Sequence, residues 1–260
     1  MKTRLRLIYK ASLIIVLFLA GLIIAGIIFP IINAACSINK ATDNCNQLKM
    51  HWLKCFSRIL NLHIQIDGKV VDGDAILVSN HISWLDIIAI GQLLPACFVA
   101  KNDILNWPLI GYLAVQGGTV FIRRGDKRQV RTTAEKMVWL LKQHRKIIAF
   151  PEGTTSDGSH ILPFHSSLFQ PALLTKAAIQ PIALEYLGDT KALAPFIGED
   201  AFVPHLLRML AMEELHISMK ILPVIKTAGK KRHELAKHSR DSICLALYSV
   251  TTPPILKIAP

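Results

Sequence analysis

From Ala11 to Asn39 no side chain carries a charge, and Leu13 to Ile32 consists almost wholly of Leu, Ile, Val, Phe, Ala and Gly. A stretch of that length can cross or enter a bilayer, so the rest of the chain must fold beside a membrane. It exceeds the apolar part of a cleaved secretory signal. Asn33-Ala34-Ala35-Cys36 is a poor lipoprotein cleavage site, because Asn33 stands where an aliphatic residue belongs. Lys2, Arg4, Arg6 and Lys10 place the N-terminus in the cytoplasm, and one full crossing would carry everything after Ile32 to the far side. Pro30 and the polar stretch from Asn33 to Asn46 offer another path, since a helix broken at the proline can turn back before completing the crossing. Leu48 to Leu60 then reads as amphipathic, with Leu48, Trp52, Leu53, Phe56, Ile59 and Leu60 on one face and Lys49, Lys54 and Arg58 elsewhere. The expectation is a one-sided two-helix anchor over residues 1–60 in the inner or cytoplasmic membrane, with residues 61–260 folded on the cytoplasmic face.

Beyond residue 61, short β-prone runs alternate with helical stretches. Strands are expected at Leu62 to Ile66, Ala75 to Ser79, Cys97 to Ala100, Thr119 to Ile122, Ile147 to Phe150, Pro181 to Glu185 and Leu215 to Leu222. Helices are expected at Ser83 to Leu94, Trp107 to Val115, Asp126 to His144, Ser167 to Ala178, Pro204 to Met212 and Lys230 to Tyr248. This is an α/β pattern, a single mixed sheet flanked by helices. No internal repeat or low-complexity linker marks a further domain.

Hydrophobic residues make up 52% of the chain, more than an ordinary soluble domain needs, and the surplus fits a membrane. The net charge of +12, with dense groups at Arg123 to Arg131 and Lys226 to Arg240, suits either anionic headgroups or nucleic acid. The apolar N-terminus favours lipid, so membrane lipids and no nucleic acid are the partners expected. Five cysteines without a C-x-x-C pair signal neither a disulfide framework nor a zinc site. Ten histidines show no H-E-x-x-H spacing, and no metal is expected.

Two segments carry candidate chemistry: Asn80-His81-Ile82-Ser83-Trp84-Leu85-Asp86, and Phe150-Pro151-Glu152-Gly153-Thr154-Thr155-Ser156. Each follows an apolar β-prone run, so both sit where strands leave a sheet, the usual place for sites in α/β folds. Residues five apart on one helix diverge by about 140°, so His81 and Asp86 meet only if His81 lies in the loop and Asp86 in the first turn. Ser83 to Asp86 resembles a capping box with Ser83 as N-cap, which puts His81 ahead of the helix. The same spacing also suits a plain helix start beside a loop histidine. In the second segment Pro151 stiffens the strand exit, Gly153 permits a left-handed backbone, and Thr154 and Thr155 offer hydroxyls; an ordinary polar turn has the same composition. Between them, Gly118-Thr119-Val120-Phe121-Ile122-Arg123-Arg124 is a strand ending in two guanidiniums suited to phosphate, although arginines beside surface strands are commonplace.

The ordered set of N-H-x4-D, G-x-x-F-I-x-R, F-P-E-G-T and the apolar Gln180-Pro181-Ile182-Ala183-Leu184 resembles the glycerolipid acyltransferase family over residues 60 to 190, in particular the bacterial 1-acylglycerol-3-phosphate acyltransferases. The two-helix anchor is a further point of likeness. The resemblance implies acyl transfer from a thioester to a lysolipid hydroxyl, with His81 as general base and Asp86 fixing its tautomer. It implies that Arg123, with Arg124 or Lys101, holds an acceptor phosphate, in a block that includes Gly118 and Phe121. Glu152, Gly153, Thr154 and Thr155 would shape the acceptor pocket. Acyl-CoA or acyl carrier protein would be the co-substrate, with no bound cofactor or metal. The first acceptor implied is 1-acylglycerol-3-phosphate, giving phosphatidic acid. Many members that make this product read E-G-T-R, however, and Thr155 replaces that arginine. Threonine there looks like members that acylate other lysolipids, such as lyso-ornithine lipid, which is the alternative. Pro163-Phe164-His165-Ser166-Ser167 likewise replaces the commoner F-K-x-G. From other classes, a hydrolase acting on a lipid ester and a membrane-tethered lipid- or nucleic-acid-binding module without catalysis also fit the charge and the His/Asp pair.

Overall fold

A computed structural model of the chain describes residues 2–123 and 127–249. The apolar N-terminal run is helical throughout: α1 (Lys2–Ile23) passes through a π-turn over Ile24–Ile28 directly into α2 (Phe29–Ala35). The expected break at Pro30 does not occur. A proline interrupts a helix by removing an N–H and pressing its ring on the carbonyl one turn back. Here the wider π-turn precedes it, with the Phe29 N–H reaching back to Ile24 O, and Pro30 falls in the first turn of α2, where it is tolerated. The chain reverses only at Cys36 and Ser37, into α3 (Ile38–Leu60), which ends on Asn61 in the left-handed conformation, φ 57°.

Among the described residues, Thr3–Ala35 is the one segment long and apolar enough to cross a membrane. The expected two-helix anchor is therefore corrected to one apolar helix backed by an amphipathic one, because α3 spends its apolar side, Met50, Leu53, Phe56 and Leu60, on packing within the protein. Two of the basic residues that read as free cytoplasmic charges are docked instead. Lys10 Nζ donates to Leu60 O and Met212 O, and Arg6 donates to Ala211 O and pairs with Glu213.

The remaining elements follow as β1 (Leu62–Asp67), β2 (Ala75–Ser79), α4 (Leu85–Gly91), β3 (Ala96–Lys101), α5 (Ile110–Gln116), β4 (Val120–Ile122), α6 (Lys127–Lys142), β5 (Lys146–Ala149), α7 (Gln170–Thr175), β6 (Ala178–Leu187), α8 (Asp189–Leu193), α9 (Phe202–Ala211), β7 (Leu215–Ile221) and α10 (Arg232–Tyr248). The strands form one sheet in the order β1-β7-β6-β2-β5-β3-β4. All neighbours are parallel except β6 and β7, so the sheet is mixed. The short α8 has no counterpart among the expected helices.

Successive side chains of a strand face opposite ways. Leu77, Ile148 and Leu184 thus share a core with Ile14 of α1, Phe56 of α3, Ile88 of α4 and Met209 of α9, while Ile76, Val78, Ile147 and Ala149 pack with Met137 of α6, Ala172 of α7 and Leu235 of α10. Burial on both faces is why β2 reads as an unbroken apolar run. Each such side chain contributes about 1.5–3 kcal/mol, so packing fixes where β2 ends and its loop begins. The adjacent parallel strands β2, β5, β3 and β4 release their following loops at one edge of the sheet, and there the candidate residues gather.

Candidate active site

Asn80, the first residue after β2, makes two hydrogen bonds with the Leu184 backbone, donating Nδ2 to Leu184 O at 2.9 Å and accepting from Leu184 N at 2.8 Å. The side chain prolongs the β2–β6 ladder by one step and sets the direction in which the next residue leaves. His81 follows in the loop, and Asp86 occupies the first turn of α4, with Nδ1 of the imidazole 2.8 Å from Oδ2 of the carboxylate. That oxygen also accepts the backbone N–H groups of Ile82 (2.8 Å) and Ser83 (3.0 Å). Asp86, inside the first turn of α4, therefore ties down the loop ahead of the helix and holds His81 with the same oxygen. Ser83 is not the side-chain cap that the sequence suggested; Trp84 occupies the N-cap position and makes no side-chain cap bond.

The His81 ring stacks on Phe150 with centroids 4.0 Å apart and planes 16° from parallel. Glu152 stands behind it, 4% exposed, and receives the His81 N–H on Oε1 (2.8 Å) and the Leu162 N–H on Oε2 (2.9 Å). Burial pushes its carboxyl above the ordinary value, while those two amides pull the other way. Ser156 N donates to His81 O, and the Phe196 N–H donates to Ile82 O, so three loops lock around the histidine. Arg240 of α10 donates to the carbonyls of Ile161 and Leu162, steadying the peptide that serves Glu152.

His81 opens on a cavity of about 690 Å³. Its far wall is apolar and includes Phe18, Ile24 and Phe29 from the N-terminal helix and Trp52 and Phe56 from α3. Its polar lining includes Lys49, Lys101, Asp103, Thr154, Thr155 and His165, with Gly153 beside them. Phe18, Trp52 and Phe56 interlock edge to face, with centroids 5.5–5.9 Å apart. Thr155 donates its hydroxyl to the carbonyl of Phe196, which lines the same cavity. An imidazole with one nitrogen held by a buried carboxylate and its face open to a cavity can accept a proton on Nε2 from a hydroxyl brought there.

The sequence-derived candidates thus fall into two groups. His81, Gly153, Thr154, Thr155 and Lys101 meet at the cavity, with Asp86 and Glu152 directly behind, the latter turned to backbone amides rather than to the cavity. Gly118, Phe121 and Arg123 are not brought to its lining. Gly118 lies in the turn after α5 at φ 79° beside a smaller adjoining cavity, Phe121 gives its carbonyl to Thr133, and Arg123 is exposed past the end of β4. Arg124 lies outside the described residues. Sequence reasoning missed Tyr186, whose hydroxyl donates to Asp86 Oδ1 at 2.6 Å, and the structural part of Asn80. A tyrosine near the end of a mostly apolar strand was the only signal of the first.

A family model described as Acyltransferase matches residues 61–185. The chain is similar to a lyso-ornithine lipid O-acyltransferase of Pseudomonas aeruginosa, 36% identical over 211 residues that span 80% of this chain and 81% of that protein. It is also similar to a 1-acyl-sn-glycerol-3-phosphate acyltransferase of Neisseria gonorrhoeae, 32% identical over 65% of this chain and 67% of that one. In fold it is similar to the crystal structure of the 1-acyl-sn-glycerophosphate acyltransferase PlsC from Thermotoga maritima, with a TM-score of 0.68, covering 92% of this chain and 94% of that chain at 21% identity.

Proposed function

Because the chain belongs to the acyltransferase family, we propose that it transfers a fatty acyl group from a thioester to the free hydroxyl of a lysolipid at a membrane, with His81 as general base. The observation that carries this reading is the His81–Asp86 pair beside a largely apolar cavity walled in part by the helix that, among the described residues, is long and apolar enough to cross a membrane. The lysolipid hydroxyl gives its proton to His81 Nε2 as its oxygen attacks the thioester carbonyl. An ester C–O bond forms, the C–S bond breaks, and the proton passes from the imidazolium to the leaving thiolate. Asp86 keeps the Nδ1–H tautomer and stabilises the imidazolium. The thioester, from acyl-CoA or acyl carrier protein, is already activated and needs no covalent enzyme intermediate or bound cofactor. Residues 1–60 serve as the membrane-associated hairpin and 61–260 as the catalytic domain. The grip of Arg6 and Lys10 on residues 211–213 supports a catalytic domain on the same, cytoplasmic side as the N-terminus.

For the acceptor, the reading favours lyso-ornithine lipid, whose headgroup carries one ammonium and one carboxylate. The cavity lining offers one carboxylate, Asp103, and two ammonium groups, Lys101 and a Lys49 engaged by the Ala96 and Gly117 carbonyls, and Thr155 supplies no guanidinium for a phosphate. Lysophosphatidic acid is the second reading, favoured by Lys101 in the cavity lining. Offering both lysolipids with a fatty acyl thioester and weighing the products by mass spectrometry separates the two. Acylated ornithine lipid as the main product supports the first reading, and phosphatidic acid alone transfers the assignment to the second. Free fatty acid without either product would overturn acyl transfer itself.

A further inference from the structure

Asp86 is 0% exposed and receives four hydrogen bonds, divided unequally between its oxygens. Oδ2 takes His81 Nδ1, Ile82 N and Ser83 N, all within five residues of Asp86 in the chain. Oδ1 takes a single donor among the described residues, the hydroxyl of Tyr186 at 2.6 Å, from a hundred residues away. Tyr186 stands near the C-terminal end of β6, which pairs in parallel with β2, so the sheet delivers it to the edge from which the His81 loop departs. Its ring is 2% exposed in the core shared by Ile182, Leu184 and Leu85. Burial, and then the charge of Asp86, raise the phenol well above its ordinary value, so the hydroxyl stays protonated and acts as a donor.

We infer that Tyr186 is a positioning residue for the proposed reaction, acting on His81 through Asp86. Three donors on Oδ2 fix that oxygen's place but leave the plane of the carboxylate able to rock about the Cβ–Cγ bond. A fixed donor on the other oxygen removes that freedom and holds Oδ2 against the imidazole. The hydroxyl also draws charge from the carboxylate, which weakens its hold on the imidazolium and keeps His81 ready to release its proton to the leaving thiolate. The other titratable groups facing this pair are Glu152, behind the His81 backbone, and Lys49, Lys101, Asp103 and His165 in the cavity lining; among the described residues the hydrogen bonds to Asp86 come from His81, Ile82, Ser83 and Tyr186.

The inference rests on His81 as the base, and the test separates the two claims. Tyr186→Phe removes one oxygen and keeps the ring. General-base catalysis contributes ~10²–10⁴-fold, so partial loss of its orientation lowers kcat about tenfold to hundredfold. KM for both substrates stays within about twofold, as for an interaction that matters only in the transition state. The acid limb of the pH–rate profile moves to higher pH, because the freed carboxylate holds the imidazolium more tightly. A ring-fluorinated tyrosine at position 186, a stronger donor of the same shape, moves the limb to lower pH, and this variant decides the matter if Tyr186→Phe fails to fold. A pH limb unmoved by either replacement, in a protein that His81→Ala inactivates, overturns the role of Tyr186 alone. Turnover retained in His81→Ala overturns the base itself.

Discussion

On the histidine side of the cavity, His81, Asp86, Glu152 and Tyr186 hold one another and the neighbouring backbone through hydrogen bonds of 2.6–3.0 Å, with the last three almost wholly buried. On the acceptor side Lys101, Asp103 and Thr154 are exposed, and Thr155 is turned onto a carbonyl. The difference follows from what each side must do. Proton transfer needs donor and acceptor fixed to within a fraction of an ångström, which only a packed and fully bonded surround provides. A headgroup can be held by flexible charged side chains in water, where a change of one residue alters preference without disturbing the fold. Damage to the first side should therefore lower the rate for every acceptor, and damage to the second should change which acceptor is used.

The larger expected effect falls on Glu152. Glutamine keeps the size of the side chain but offers one acceptor where two buried amides require two. Leaving an amide unpaired costs about 1–3 kcal/mol. Glu152→Gln should lower the melting temperature of the purified protein and reduce turnover with both lysolipids alike; an unchanged melting curve would show that this side is not held as described. A smaller and more selective effect is expected of Thr155→Arg. A charge-assisted bond to phosphate contributes about 1.5–3 kcal/mol, and exposure at the mouth lowers that towards the 1.4 kcal/mol that corresponds to tenfold. The ratio of phosphatidic acid to acylated ornithine lipid in a competition assay should rise about tenfold, with thermal stability little changed. A ratio that does not move would remove Thr155 from the account of specificity.

What could be read from the sequence divides along similar lines. The strands were legible because runs such as Ala75 to Val78 and Ile147 to Ala149 are buried on both faces and carry little else. The five-residue α8 is too short and too polar to leave a periodic trace. Pro30 misled because a proline breaks a helix only when its ring meets the carbonyl one turn back, and the π-turn at Ile24–Ile28 that leaves it in a first turn has no local signal in the apolar run. The meeting of His81 with Asp86 is short-range and followed from the helix start, although Trp84 rather than Ser83 is the N-cap and Asp86 binds the loop amides of Ile82 and Ser83 instead. Tyr186 is remote in sequence, and its approach to Asp86 depends on β6 lying beside β2, which no local pattern contains. The cavity wall was hidden for the same reason. Phe18 and Trp52 read as membrane-facing residues, and only the reversal at Cys36 and Ser37 turns them towards the site.

The central claim is that His81 performs the acyl transfer, and mass spectrometry of the lipids formed by purified His81→Ala protein tests it most directly. The variant should fold and bind membranes as the parent does, since the Asp86 carboxylate keeps its two backbone amides and Tyr186. Its yield of diacylated product from a lysolipid and an acyl thioester should fall by about 10²–10⁴-fold. Diacylated product formed at the parental rate would contradict the account.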